Sequence, residues 1–241
     1  EGGVKQTAYE IFAEADGTPV WESGKVSTGQ MHAVFEIPLK SRQCVTWKVR
    51  LWDETGEAGE WSAPAAFEMG LLDAQDFKAK WINPELHCDP AAHKPASYLI
   101  TSFRTGKTAH GRLYITSHGV YEAYLNGKRV GDFVLAPGTS SYDKALAYQT
   151  YDVTELMKDG DNEVTVILGD GWYRSCSGVD GDRNLYGEDV ALYFQLEAGG
   201  QAVCISDEHW LASQDGPLRE NDMQQGETYD ATMEEVSNFH P

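Results

Sequence analysis

Residues 168–175 read Leu-Gly-Asp-Gly-Trp-Tyr-Arg-Ser and hold a carboxylate (Asp170), two large rings (Trp172, Tyr173) and a guanidinium (Arg174) close together. Rings lie against C–H faces, and planar polar groups grip pairs of hydroxyls, so this set suits a polyhydroxylated ligand such as a sugar. Gly169 and Gly171 allow a backbone to approach such a ligand closely. A second stretch, GVDGDRNLYG at 178–187, adds Asp180, Asp182, Arg183, Asn184 and Tyr186. Asn126 offers an amide, although its first duty beside Gly127 is a tight turn. Structural readings compete: Trp172 and Tyr173 also suit a core cap, and Arg183 an ion pair with Glu188 or Asp189.

Other chemistry finds little support. Acid–base cleavage of an acetal needs two carboxyl groups roughly 5–10 Å apart across one sugar. The acidic runs 53–60, 159–162 and 187–190 sit at turn signals and do not alternate within apolar strands, so they read as solvated bends. There is no GxSxG, and His209 follows Asp207-Glu208 without a nucleophile. His87 and His93 flank a proline-rich loop, where exposed histidines are commoner than metal ligands. Cys44, Cys88, Cys176 and Cys204 form no CxxC pair, which argues against zinc or redox motifs and for free thiols. That reading, with no visible signal peptide, favours a cytoplasmic setting. A net charge of −19 repels nucleic acid, and no apolar run reaches the ~18 residues of a membrane helix, so neither partner is expected.

The elements that must position these residues are strands. In VTWKVRLWD, Val45, Trp47, Val49 and Leu51 fall on one face and Lys48 and Arg50 on the other, the period of a half-buried strand. TAYEIFAEA, ASYLITSFRT, GRLYITSHGVYEAYL and DVALYFQLEAG read likewise, and Asp16-Gly17 and Asn126-Gly127 mark turns. Asp152 starts a single capped helical turn, and no longer helix is convincing. The expectation is an all-β chain of two β-sandwiches, over 1–70 and 96–230, with a connector at 71–95 and a linker at 231–241. Within the connector, residues 77–82 look like a strand bound to a neighbouring unit, with Trp81 as packing anchor.

The stretch GVYEAYLNGKRVGDFVLAPGTSSYDKALAYQTYDVTELMKDGDNEVTVILGDGWYRS, followed by RNLYG, ALYFQLE and GETYDA, resembles the N-terminal domain of bacterial α-L-rhamnosidases. Residues 67–70 with 80–82 look like the join after that family's first module, so the resemblance covers about 1–235. It implies a fibronectin type III-like sandwich that lacks its first strand, then a jelly-roll (galactose-binding-like) sandwich, both non-catalytic. The family's catalytic α/α barrel would be their partner, and rhamnose-containing oligosaccharides or glycosides their ligands. No cofactor is required, but some similar modules bind L-rhamnose through calcium, and Asp170 is the residue carried over as the acidic ligand. Gly171 stands where that pattern has an amide, which removes a side-chain ligand.

Overall fold

The structure is a computed structural model that describes residues 5–84, 89, 92–177, 181–236 and 239. It is all-β and divides into two compact units, Glu1–Phe77 and Lys78–Pro241.

The first unit is built on β1 (Ala8–Ala15), β2 (Thr18–Glu22), β3 (Val26–Ser27), β4 (Cys44–Trp52) and β5 (Ala65–Glu68). They form one sheet in the order β2-β1-β4-β5, with β3 paired to β1. Asp16 and Gly17, at φ 51° and 72°, make the two-residue hairpin that the sequence signalled. The register sets Ile11 opposite Val49, Ala13 opposite Trp47 and Ala15 opposite Val45. A small core follows: Ala13, Ala15 and Val45 are buried, with Trp21, Phe35, Leu39 and Trp47 packed against them. The opposite face is polar and aromatic, with Arg50 bonded to Glu10 and Lys48 over the rings of Phe12 and Trp61. The second layer expected of a sandwich is not a hydrogen-bonded sheet among the described residues. Residues 30–40 belong to none of the strands, and Phe35 and Leu39 from this segment pack on the small core.

The second unit is a sandwich of two sheets. One contains β7 (Gly111–His118), β10 (Gln149–Asp152), β12 (Ala191–Ala198) and β13 (Gln201–Ile205), ordered β10-β7-β12-β13. The other contains β6 (Ser97–Thr105), β8 (Val120–Leu125), β9 (Lys128–Arg129), β11 (Gly160–Gly169) and β14 (Leu211–Ser213), ordered β14-β6-β11-β8-β9. Inward residues alternate with outward ones, as in Val164, Val166 and Leu168 of β11. These meet Leu113, Ile115, Leu192, Phe194 and Leu196 of the facing sheet in one core. A final hairpin pairs β15 (Leu218–Asp222) with β16 (Gly226–Tyr229). The one α-helical turn described, α1, is Gly171–Arg174. No described helix is long and apolar enough to cross a membrane.

The division between Phe77 and Lys78 falls inside the stretch read as a connector, and residues 78–82 do not behave as one. The backbone N–H groups of Lys78 and Ala79 donate to Gln195 Oε1, Lys80 N–H donates to Ser206 O, and Ile82 exchanges backbone bonds with Leu192. Buried Gln195 thus recruits this strap, because an amide inside a sheet face must find partners. Cys44, Cys176 and Cys204 are free thiols; Cys88 and His87 lie outside the described residues.

Candidate functional site

The end of β11 is where the sequence placed its ligand groups, and the structure sorts them differently. Asp170 is not an exposed acceptor, being only 1% exposed. Its carboxylate accepts from Arg174 Nε at 2.5 Å and from Arg183 Nη2 at 3.1 Å. Arg183 Nη1 also donates to Asp222 Oδ2 at 2.8 Å, so one guanidinium bridges two buried carboxylates. Its partners are therefore Asp170 and Asp222, not Glu188 or Asp189. Burial raises the proton affinity of Asp222. The N–H groups of Cys176, Gln225 and Gln224, with the charge of Arg183, outweigh this and hold its pKa below the ordinary value.

This network fixes the local backbone. The Arg174–Asp170 contact, at i,i+4, closes α1. Gly171 sits at φ 54°, and a Cβ there would lie 2.8 Å from Gly119 C and from Val120 Cγ1, so only glycine fits. Arg174 is buried rather than a free donor, and with Lys94 it donates to Glu188 O. Asn184 N–H donates to Arg174 O and Tyr186 N–H to Tyr173 O, so residues 184–186 run beside α1.

Calcium does not fit at Asp170. An ion there would have to displace two guanidinium groups from a buried carboxylate, and Gly171 supplies no side-chain oxygen. Among the described residues no cluster of three or more His, Cys, Asp or Glu side chains stands ready for a metal. Asp180 lies outside the described residues.

Asn126 does not join the site. It turns the β8–β9 hairpin at φ 54°, its Nδ2 donates to Leu156 O and Asn162 Oδ1, and its Oδ1 accepts from Glu163 N–H. Glu163 is near the start of β11 and Asp170 follows its end, roughly 20 Å away at ~3.3 Å per residue. Trp172 is half-buried and lies outside the ring cluster described next.

Tyr173 and Tyr186 are brought together with three rings the sequence did not single out as ligand groups. His118 stacks on Tyr173 with centroids 4.7 Å apart and planes 7° from parallel. Trp81 stacks on the imidazole of His118, at 4.4 Å and 21°. Tyr142 stands edge-on to Tyr173 at 5.2 Å and lies 4.9 Å from Tyr186. Trp81 and Tyr186 are the open members, 46% and 42% exposed. Trp81, expected to be a packing anchor, packs on His118 and, at 5.8 Å, on the buried ring of Tyr193, while 46% of it stays exposed. Burial pushes Tyr142 up to about 12, with Tyr186 and Tyr173 adding to the shift, and burial lowers the pKa of His118. Both shifts favour the uncharged forms of Tyr142 and His118. Gly187 keeps the surface in shape: a Cβ there would lie 2.2 Å from the Tyr173 hydroxyl.

Register assembles this surface. Ala191 pairs with His118 across β12 and β7, and Ile82 bonds to Leu192, so the strap delivers Trp81 beside His118. The sequence matches the family of the α-L-rhamnosidase N-terminal domain over residues 106–240, and the Rha78A-like N-terminal immunoglobulin domain over residues 1–73.

The chain belongs to the α-L-rhamnosidase N-terminal domain family.

An α-L-rhamnosidase of Formosa agariphila is 37% identical over 257 residues, a match that takes in 97% of this chain and 27% of that protein. The crystal structure of native α-L-rhamnosidase from Aspergillus terreus superposes with a TM-score of 0.86 at 32% identity, covering 100% of this chain and 30% of that one. The α-L-rhamnosidase of Streptomyces avermitilis, solved with L-rhamnose, shares the fold at a TM-score of 0.84 and 24% identity, over 97% of this chain and 40% of that one. The chain thus spans 27% and 30% of the lengths of the first two α-L-rhamnosidases.

Proposed function

We propose that this chain is a non-catalytic region of an α-L-rhamnosidase and that its second unit binds rhamnose-containing glycans on the rings of Trp81, His118, Tyr142, Tyr173 and Tyr186, without calcium. The observation that carries the reading is a pair of open aromatic faces, Trp81 and Tyr186, held through a rigid stack. Rings fixed before binding lose little conformational freedom on contact with a pyranose. 6-Deoxy sugars such as rhamnose present a methyl group and C–H faces, which suit an uncharged aromatic surface.

The non-catalytic part rests on the carboxylates. Asp170 and Asp222 are bonded to arginine, and buried Glu197 accepts from Gln195, so none is poised as an acid or base. An active rhamnosidase would draw its catalytic pair from the parent polypeptide outside these residues.

Titration calorimetry with a rhamnose-bearing oligosaccharide, with calcium and with chelator, tests this. The reading expects binding in the millimolar range, about −4 kcal/mol, equal in both buffers. Binding that vanishes with chelator, or none at all, overturns it. Release of rhamnose from an aryl rhamnoside by this chain alone contradicts the non-catalytic part.

A supporting role toward another region of the parent is favoured by a separate feature. Phe133, Val134 and Leu135 are three consecutive exposed apolar side chains, more than isolated surface residues explain. Charged replacements there should leave this chain's stability unchanged and weaken the stability of the full-length enzyme.

A further inference from the structure

Trp81 belongs to two places at once. Besides stacking on His118, it lines a cavity of about 300 Å³ within the second unit. That volume is at the small end of the roughly 300–1,000 Å³ of small-molecule sites, room for about one sugar ring. One wall is the strap, which Lys80 fastens three times. Its N–H donates to Ser206 O at 2.9 Å, its carbonyl accepts from Ser206 Oγ at 2.5 Å, and its Nζ donates to Glu208 Oε2 at 2.9 Å. The bottom is apolar, with Leu99, Trp210 and Ala212 all buried. Trp210 is held by its Nε1, which donates to Ile205 O at 2.8 Å, and by an edge-on contact with Phe194 at 5.2 Å. A pocket shaped beforehand loses little conformational freedom when it is filled.

The rim is polar. Lys80 and Glu208 form an exposed ion pair there, and Asp207 lines the cavity beside them. Their hydrogen bond raises the pKa of Lys80 and lowers that of Glu208, so both are charged at neutral pH. Asp207 Oδ1 accepts from His209 N–H at 2.9 Å, which leaves Oδ2 to accept from a hydroxyl. Sugar hydroxyls both donate and accept, so an ammonium and two carboxylates together can grip a pair of them. The apolar bottom and the Trp81 indole suit the C–H side of the same ring. One positive charge against two negative ones disfavours a ligand that carries its own carboxylate.

We infer that this cavity is a second sugar subsite, which takes a neutral pyranose linked to the rhamnose on the ring surface, with Trp81 as the platform that both sugars share. The inference rests on the proposed glycan binding and deepens it, because it names the chemistry of the sugar next to rhamnose. Continuity through Trp81 is what selects a neighbouring sugar as the occupant over a separate ligand.

Titration calorimetry of the 241-residue chain with methyl α-L-rhamnoside, an α-L-rhamnosyl-glucose and an α-L-rhamnosyl-glucuronic acid tests it. Rhamnosyl-glucose should bind tighter than methyl rhamnoside by about tenfold or more, and the acidic disaccharide should show no such gain. In Glu208→Ala the ratio of the two neutral affinities should fall to about one, because the rim loses an acceptor and the strap loses a fastening. Glu208→Lys reverses the charge of the rim, so the acidic disaccharide should become the tighter of the two disaccharides. Equal affinity of the native chain for both neutral ligands overturns the subsite and leaves the ring surface standing. So does a Glu208→Ala chain that keeps the full gain, or a Glu208→Lys chain that still prefers the neutral disaccharide. No binding of any of the three ligands overturns the ring surface together with the subsite.

Discussion

The imidazole of His118 lies flat against the ring of Tyr173, 4.7 Å between centroids and 7° from parallel, with Trp81 stacked on its other side at 4.4 Å. A ring sandwiched this way is cut off from water above and below, and no carboxylate is bonded to it. Burial therefore lowers its pKa from the ordinary 6.5.

An NMR pH titration of the His118 ring should accordingly give a midpoint below 6.5. Between the two midpoints the unfolded chain binds more protons than the folded one. The contribution of neutral His118 to stability is thus complete above the unfolded pKa and is lost as pH falls through the folded pKa. A midpoint above 6.5 would show an anionic partner that the stack does not have.

Gly187→Ala probes the shape of the surface. The added methyl would lie 2.2 Å from the Tyr173 hydroxyl, so that ring must shift and the stack with His118 must open. Each aromatic pair of this kind contributes about 0.5–1.5 kcal/mol, so the loss of stability should stay within that range. Near-UV circular dichroism should change and glycan affinity should fall by tenfold or more. Unchanged affinity would separate binding from the Tyr173 geometry.

Asp170→Asn tests the buried network instead. Removing one charge leaves Arg174 and Arg183 buried beside a neutral amide, at a cost of about 3–5 kcal/mol in denaturant unfolding. Asp222 adds a pH signature. Its folded pKa lies below 3.8, so its contribution is present above the unfolded pKa and disappears as pH falls through the folded value. Asp222→Asn should remove that part of the acid destabilisation.

The strands were legible because their signals are local. The alternation of Val45, Trp47, Val49 and Leu51 and the Asn126-Gly127 turn need no partner to be read. The ligand groups were legible only in part. Asp170, Arg174 and Arg183 have side chains that suit a sugar, but opposite charges at i,i+4 and across a short loop satisfy one another first. Asn126 was spent on its own hairpin and on Asn162. Tyr173 and Tyr186 did reach the ring surface. Trp81, His118 and Tyr142 were invisible as ligand groups because nothing near them in sequence marks them. Only the β7–β12 register and the Ile82–Leu192 bridge bring Trp81 beside His118.

Trp81→Ala and Tyr186→Ala remove the two open faces while leaving the buried core untouched. Each should weaken glycan binding at least tenfold and lower stability by about 1–3 kcal/mol without unfolding the chain, because each ring makes two aromatic contacts. Loss of binding accompanied by unfolding would make these rings structural.

The most direct measurement is an NMR titration of the 241-residue chain with a rhamnose-bearing oligosaccharide, following the Trp81 indole and the Tyr142, Tyr173 and Tyr186 ring protons. The account predicts saturable shifts concentrated on those rings and absent from Asn126 and the Asp170–Arg183–Asp222 network. Shifts confined to that network, or a spectrum unmoved at high millimolar sugar, would contradict it.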